Sequence, residues 1–169
     1  MTTPIKIVGG EPGRFSDLEI EDFVALVIAA GEVSTQGLEK RIHGAARLAF
    51  LFVGGAFCGV AALKRPEADY RDCVAAKSGV PLPKTDFPYE LGYVFVLPSA
   101  RGRRFSVDLA GEVLVGAEGR GVFATTHTNN LAMQATLTKC GFRAEGKPYP
   151  SSLANRKLQL FVRIAGKAK

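Results

Sequence analysis

Apolar residues near the N-terminus change from strand-like to helical spacing. Residues 5–8 form a short apolar-rich run that predicts a strand. Ser16 and Glu19 then form a capping box, and Phe15 stands where it can staple onto Ile20. Beyond them, one helical face collects Ile20, Phe23, Val24, Val27 and Ile28. With Gly31 as the stop, the pattern predicts an amphipathic helix with an acidic outer face.

The longest uncharged stretch is residues 48–63 (LAFLFVGGAFCGVAAL), which is too short for a bilayer-spanning helix. Apolar, β-branched and aromatic runs lie on either side of Gly54 and Gly55, the pattern of two strands joined by a tight turn. The sequence therefore predicts a hairpin of strands over 47–53 and 56–63. A weaker helical pattern over 35–43 precedes it.

The middle of the chain combines a helix, a loop and a strand. Pro66 is suited to open a helix that runs to Ala76. Residues 79–88 (GVPLPKTDFP) have no period and predict a long loop, either a lid or substrate wall or a plain surface excursion. Residues 91–97 are an apolar and aromatic run that predicts a buried strand ended by Pro98.

The C-terminal half alternates helices and strands. One helical face after the strand end is made by Val107, Ala110, Leu114 and Ala117, with Gly119 as its stop. Residues 121–125 predict another buried strand, and Asn130 can cap a helix that ends in a Gly-Phe pair typical of a Schellman motif. Residues 158–164 alternate as a final strand. The order indicates an α/β (α+β) fold with an antiparallel first half.

Composition narrows the class of protein. With 169 residues, 47% apolar and 22% charged, the chain suits one globular domain over 1–169. The three cysteines are odd in number and far apart, which indicates buried thiols in a reducing compartment and neither a disulfide framework nor a metal site. The N-terminus lacks the pattern of a signal peptide, so we expect a cytoplasmic protein that does not act at the membrane.

The net charge of +6 is unevenly distributed. Residues 1–45 contain more acidic than basic side chains, so the remainder of the chain carries the whole positive excess. A basic surface attracts nucleic acid, anionic membrane or a phosphorylated small molecule. No basic helix with interleaved aromatics accompanies the charge, so a nucleic-acid binder rests on the charge excess alone.

The basic turn RGRR (101–104) lies between a predicted strand and a predicted helix. In that order, a glycine-containing turn directs several backbone N–H groups together at a helix N-terminus, which is an anion site. Arg101 and Arg103 add charge that suits phosphate oxygens. Taken alone, the signal is weak, because a basic turn between a strand and a helix is more often a solvated surface turn.

Two spaced motifs carry a resemblance to a known family. Val96 and Pro98 form a V-x-P strand end, residues 101–106 (RGRRFS) follow in the place of an R/Q-x-x-G-x-G turn, and a later helix capped by Asn130 closes in Gly-Phe. With the order of elements, these motifs resemble the GCN5-related N-acetyltransferase family over nearly the whole chain. The resemblance implies a mixed, mostly antiparallel central sheet flanked by helices. A splayed pair of parallel strands would form the coenzyme A slot.

The same resemblance implies a site for acetyl-CoA. The strand end would offer main-chain groups to the pantetheine arm and the thioester carbonyl. Amides of the following turn would hold the pyrophosphate, and the capping asparagine would lie near the pantetheine. The residues that match these positions are Val94, Phe95, Val96, Arg101, Gly102, Arg103, Arg104, Phe105, Ser106, Val107 and Asn130.

The chain departs from the family pattern at three positions. Arg104 replaces a usual Gly, and Ser106 replaces a Gly or Ala, so a side chain at 104 must point away from the phosphates or contact them. Leu137 stands where many relatives place a Tyr that protonates the departing thiolate. The general acid is therefore unassigned, with water, Tyr93 and Tyr149 as candidates.

Glu90 begins the predicted central strand, at a position from which family members often reach the acceptor through water. It is the candidate base, or else a solvated strand-end carboxylate. His127 is either a second candidate base or a hydrogen-bonding loop residue, and His43 is expected at the surface.

The resemblance predicts an N-acetyltransferase that moves the acetyl group of acetyl-CoA by direct attack of a primary amine, without a metal. The acceptor is a small molecule or a protein, and its identity is open. The alternative is a degenerate family member that binds CoA or regulates without catalysis. Family members often form homodimers, so a homodimer is an expectation for which nothing in the chain identifies the surface.

Overall fold

The computed structural model describes residues 2–152 and 155–166. Its helices are α1 (Asp17–Ala30), α2 (Leu38–His43), α3 (Ala68–Ser78), α4 (Phe105–Leu114) and α5 (Leu131–Lys139). Its strands are β1 (Ile5–Gly10), β2 (Arg47–Val53), β3 (Ala56–Lys64), β4 (Tyr89–Val96), β5 (Val122–His127), β6 (Arg143–Pro150) and β7 (Lys157–Arg163). Short 3-10 turns cover Pro12–Arg14, Pro98–Ala100 and Val115–Ala117.

The strands form one mixed sheet in the order β1-β2-β3-β4-β5-β7-β6. Neighbours whose register is described pair antiparallel, except β4 and β5, which run parallel with Tyr89 opposite Val122 and Glu90 opposite Phe123. The expected mostly antiparallel sheet with a parallel pair and flanking helices is confirmed. Within the described ranges, no helix has both the length and the apolar character needed to cross a membrane.

The chain divides into two compact units, Met1–Lys64 with Leu91–Gly116, and Arg65–Glu90 with Ala117–Lys169. We call them unit 1 and unit 2. Each has its own buried cluster of apolar side chains. The single functional domain expected over 1–169 stays a prediction.

The core of unit 1 contains aromatic rings among its aliphatic side chains. Phe23 on α1 and Phe50 on β2 are almost fully buried, with ring centroids 5.2 Å apart in an edge-to-face arrangement that favours aromatic pairs. The predicted capping box is confirmed, because Ser16 Oγ accepts from the Glu19 amide and the Glu19 side chain accepts from the Ser16 amide. Ile28, expected on the apolar face of α1, is 47% exposed and does not join the core.

Unit 2 buries its apolar residues between α3 and the strands β5, β6 and β7. The Schellman motif predicted after α5 is present: Phe142 donates to the Leu137 carbonyl and Gly141 to the Thr138 carbonyl, with Gly141 at φ 88°. β6 was not predicted from the sequence. It is a polar and mostly exposed segment at the edge of the sheet, so its residues carry no alternating pattern.

Some element boundaries differ from the pattern. The helix expected to continue to Gly119 ends at Leu114 and tightens into the 3-10 turn Val115–Ala117. The central strand starts at Tyr89 instead of residue 91, so Glu90 lies within β4.

Candidate functional site

The turn after β4 presents a row of backbone amides. Pro98–Ala100 forms a 3-10 turn, Gly102 follows at φ 84°, and Arg104 at φ 65° is the N-cap of α4. In the part of the chain that the structure describes, the amides of residues 102–106 donate to no backbone or side-chain acceptor. Consecutive amides in such a conformation, at the start of a ten-residue helix, make a concavity that suits an anion.

Arg104 keeps the backbone geometry that a glycine would supply. Its φ of 65° lies in the left-handed region, which costs a residue with a Cβ about 1–2 kcal/mol. Its side chain is exposed. Arg104 in place of the usual Gly therefore adds backbone strain, but the turn keeps its left-handed conformation.

Two other arginines of the turn pack on aromatic rings. Arg101 Nε donates to the Val96 carbonyl at 2.9 Å, and its guanidinium lies 5.5 Å from the centroid of the Phe95 ring. The Arg103 guanidinium lies 5.0 Å from the Phe105 ring centroid. Arg101 thus ties the turn back onto the end of β4, a contact that orients the row of amides.

Tyr93 interrupts the regular pleat of β4. Its φ of 55° is unusual for a non-glycine residue. Its ring is buried, with Lys64 Nζ 4.5 Å from the ring centroid, and its hydroxyl accepts a long hydrogen bond of 3.5 Å from Arg41 Nε. This candidate for the general acid therefore lies in unit 1, with one cation at its hydroxyl and another over its ring.

Glu90 is buried, with 3% of its surface exposed. The reading of a solvated strand-end carboxylate is therefore wrong. Tyr70 on α3 donates a hydrogen bond of 2.6 Å to Glu90 Oε2, and the Tyr70 ring stacks on Phe123 with centroids 6.5 Å apart. Sequence reasoning missed Tyr70, because a single tyrosine on a polar helix carries no signal of a partner 20 residues away.

Two tyrosines near this carboxylate hold their protons tightly. Burial, followed by the charge of Glu90 and its hydrogen bond, raises the pKa of Tyr70 well above the usual value of 10.0. Burial and then the charge of Glu90 also raise the pKa of Tyr149. Both phenols therefore stay neutral donors at physiological pH.

Arg71 anchors the 79–88 loop from within unit 2. It is 5% exposed, its Nη1 donates to the Phe87 carbonyl, and its guanidinium lies 5.7 Å from the Phe123 ring centroid. Burial lowers the pKa of Arg71, while the charges of Glu90 and then Asp72 raise it. The predicted loop is confirmed, and its C-terminal end is fixed to α3.

Asn130 uses its side chain to begin α5. Its Oδ1 accepts from the Met133 amide at 3.1 Å, which confirms the predicted cap and leaves the Nδ2 amide as the group that could donate to a ligand. Leu137 is fully buried in the same helix. A hydroxyl is therefore lacking at the position where many relatives of this family place one.

The two histidines differ in burial. His127 ends β5 and is 7% exposed, so it is a buried strand residue and not a loop residue. Its Nδ1 meets no hydrogen-bond partner among the described residues. His43 is exposed, as expected, with Nε2 3.7 Å from Glu39 Oε1. The described ranges contain no group of three His, Cys, Asp or Glu side chains that could hold a metal ion.

Known proteins resemble this chain in structure. No protein-family model matches the sequence, and no curated protein sequence matches it. An acetyltransferase of the GNAT (GCN5-related N-acetyltransferase) family from Streptococcus pneumoniae is similar over 96% of this chain and 100% of its own, with 14% identity and a TM-score of 0.66.

Two further neighbours were solved with ligands. YncA from Salmonella typhimurium, with its cofactor acetyl-CoA, is 13% identical with a TM-score of 0.66, over 98% of this chain and 96% of its own. Arabidopsis thaliana Naa50, in complex with the bisubstrate analogue CoA-Ac-MVNAL, is 14% identical with a TM-score of 0.67, over 94% and 97%. The resemblance seen in the sequence is thus confirmed at the level of architecture, and the chain has the fold of the GCN5-related N-acetyltransferases.

Proposed function

We propose that the protein is an N-acetyltransferase that transfers the acetyl group of acetyl-CoA to a primary amine. The observation that carries this proposal is the row of unengaged amides at residues 102–106, which precedes α4 and includes two left-handed residues. An array of this kind matches the diphosphate of a CoA molecule in charge and in hydrogen-bonding capacity. The fold and the acetyl-CoA held by YncA support the same assignment.

The residues that would hold acetyl-CoA divide by the part of the cosubstrate they suit. The amides of residues 102–106 suit the diphosphate, and the exposed arginines of the turn add positive charge. Main-chain groups of residues 94–96 and the Asn130 amide suit the pantetheine arm. Acetyl-CoA would supply an activated thioester, and the protein would supply orientation and proton transfer.

Glu90 is the proposed base. An amine must lose a proton as its nitrogen bonds to the acetyl carbonyl, and a carboxylate in hydrogen-bonding reach, directly or through one water, takes that proton. Burial of Glu90 excludes bulk water from the carboxylate. Because Leu137 is buried and apolar, protonation of the departing thiolate is assigned to water or to a tyrosine hydroxyl, with Tyr149 the candidate beside Glu90.

Calorimetric titration with acetyl-CoA tests cosubstrate binding. Gly102→Val should weaken binding at least about tenfold, because a branched side chain disfavours the left-handed φ that turns the amides together. Gly119→Val is the matched control, since Gly119 also has a positive φ and open space around its Cβ position but lies outside the turn. Arg101→Ala should also weaken binding, and Glu90→Gln should not. No binding at millimolar acetyl-CoA would refute the proposal.

A second candidate function is CoA binding without catalysis. Leu137 favours it, because the position of the usual acid carries a buried apolar side chain. Release of CoA thiol, measured against a broad panel of amines, separates the two. Tight binding with no release by any amine would support the non-catalytic function.

A further inference from the structure

The hydrogen bond between Tyr70 and Glu90 has the length of a charge-assisted contact. Its 2.6 Å separation falls in the range of about 2.5–2.7 Å typical of an O–H donor on a carboxylate. Glu90 is 3% exposed, and burial of a carboxylate is costly unless its charged form is stabilised. The Tyr70 hydroxyl therefore supplies a hydrogen bond to the buried carboxylate and fixes where its Oε2 points.

The Tyr70 ring is held in place by packing on unit 2. It stacks on Phe123 at an interplanar angle of 28°, and Phe123 is fully buried in β5. Although 40% of Tyr70 is exposed, burial and the charge of Glu90 keep the pKa of its hydroxyl far above the physiological range. A hydroxyl that stays protonated on a ring packed against Phe123 is a hydrogen-bond donor to Glu90.

The groups that face this pair come from each neighbouring element. Tyr149 approaches from β6, and its pKa is raised by burial and by Glu90. Thr125 on β5 donates toward the Tyr70 oxygen, a hydrogen bond that opposes the rise in the pKa of Tyr70. On α3 itself, the charge of Glu90 raises the pKa of Arg71, so this guanidinium also lies near the carboxylate. Glu90 thus has a hydroxyl donor, a second phenol and a guanidinium near it.

We propose that Tyr70 is a positioning residue for the acetyl transfer, holding Glu90 in the orientation in which the carboxylate accepts the proton of the attacking amine. This inference rests on the proposed function. As the nitrogen bonds to the acetyl carbonyl carbon, its proton passes to Glu90, and the C–S bond breaks to release the thiolate, which takes a proton from water. Tyr70 keeps its own proton throughout and donates to Glu90 before and after the transfer.

The decisive measurement is the effect of Tyr70→Phe on kcat and on KM, taken separately. Thiol release from acetyl-CoA is followed with spermidine, tyramine and a short peptide with a free N-terminus, and the fastest acceptor is used. In Tyr70→Phe we expect kcat/KM to fall about 10- to 100-fold at neutral pH, the effect of losing a hydrogen bond to a charged group. The loss should lie in kcat and leave the KM for acetyl-CoA unchanged, because Tyr70 contacts the proposed base and so acts on proton transfer.

Tyr89→Phe is the matched control. Tyr89 precedes Glu90 in β4, so its side chain points to the opposite face of the strand, with the Arg120 guanidinium 5.8 Å from its ring centroid. Removal of its hydroxyl should leave kcat unchanged. A kcat that stays unchanged in Tyr70→Phe, or that falls equally in both variants, would overturn the inference while leaving acetyl transfer established.

A second readout does not depend on activity. A double-mutant cycle compares the melting temperatures of Tyr70→Phe, Glu90→Gln and the double variant. If the two side chains interact, the melting temperature of the double variant should fall by less than the sum of the two single decreases. Additive losses would overturn the inference. If the cycle is non-additive but the wild type transfers acetyl to none of the acceptors, the Tyr70–Glu90 contact is structural only. In that case the proposed function fails, and the positioning role of Tyr70 fails with it.

Discussion

Arg47 on β2 holds Glu112 on α4 through two different groups. Arg47 Nε donates to the Glu112 carbonyl at 2.9 Å, and its Nη2 lies 2.6 Å from Glu112 Oε1. Both side chains are partly buried. The pair fixes the helix that begins at the amide row onto the sheet of unit 1.

Removal of this clamp should destabilise the protein modestly. Arg47→Met keeps much of the apolar stem and loses both hydrogen bonds, so we expect a loss of about 1–2 kcal/mol in the free energy of unfolding. Glu112→Gln keeps its main-chain acceptor and should cost less. Urea denaturation measures both, and an equal loss in the two variants would contradict the role of the main-chain hydrogen bond.

Arg104 should be replaceable by glycine. Arg104→Gly removes the left-handed strain of about 1–2 kcal/mol and adds a glycine entropy cost of about 0.5–1 kcal/mol. We expect the free energy of unfolding to stay within about 1 kcal/mol of the wild type and acetyl-CoA binding to persist. Arg104→Val should destabilise the protein, since a β-branched residue disfavours φ 65°. Urea denaturation measures the stability of both variants, and calorimetry measures their acetyl-CoA binding. An Arg104→Val protein as stable as the wild type would contradict the strained turn.

Gly121 and Gly111 should respond oppositely to alanine. A Cβ at Gly121 would overlap the Asp86 carbonyl oxygen, a main-chain atom that cannot shift without moving the backbone, so Gly121→Ala should destabilise by at least about 3 kcal/mol or prevent folding. Gly111 lies inside α4 with open space around its Cβ position, so Gly111→Ala should stabilise by about 0.5–1 kcal/mol. Melting temperatures test the pair, and a tolerated Gly121→Ala would refute the close approach.

Stability should fall in alkali through Tyr70 and Tyr149. The folded state raises the pKa of Tyr70 and Tyr149 above the usual 10.0, so these phenols ionise first in the unfolded chain. Their contribution is complete below pH 10.0 and is lost as pH rises beyond it, by up to about 1.4 kcal/mol per pH unit for the buried Tyr149 and by less for Tyr70, whose 40% exposed side chain is screened by solvent. Tyr149→Phe should have a shallower decline than the wild type between pH 10 and 11. Parallel declines would contradict the raised pKa.

Structural features formed by residues close together in the chain could be predicted from the sequence. The Ser16 and Glu19 capping box and the Schellman end at Gly141 and Phe142 are each closed by hydrogen bonds between residues three to five apart. The left-handed residue at Gly102 follows from the motif, and the same conformation at Arg104 follows from the fold and not from the residue type. The cofactor motif was predicted through its resemblance, and its binding role remains a prediction.

By itself, then, the sequence determined the local elements, their order and the family whose fold they adopt, because capping, periodicity and turn chemistry act between near neighbours. Only the tertiary structure decided that β6 is a strand, because its polar residues adopt the strand conformation by pairing with β7. It also decided the burial of Glu90 beneath the Tyr70 hydroxyl. Contacts between residues far apart in the chain follow from how the elements pack, which no short stretch of sequence encodes.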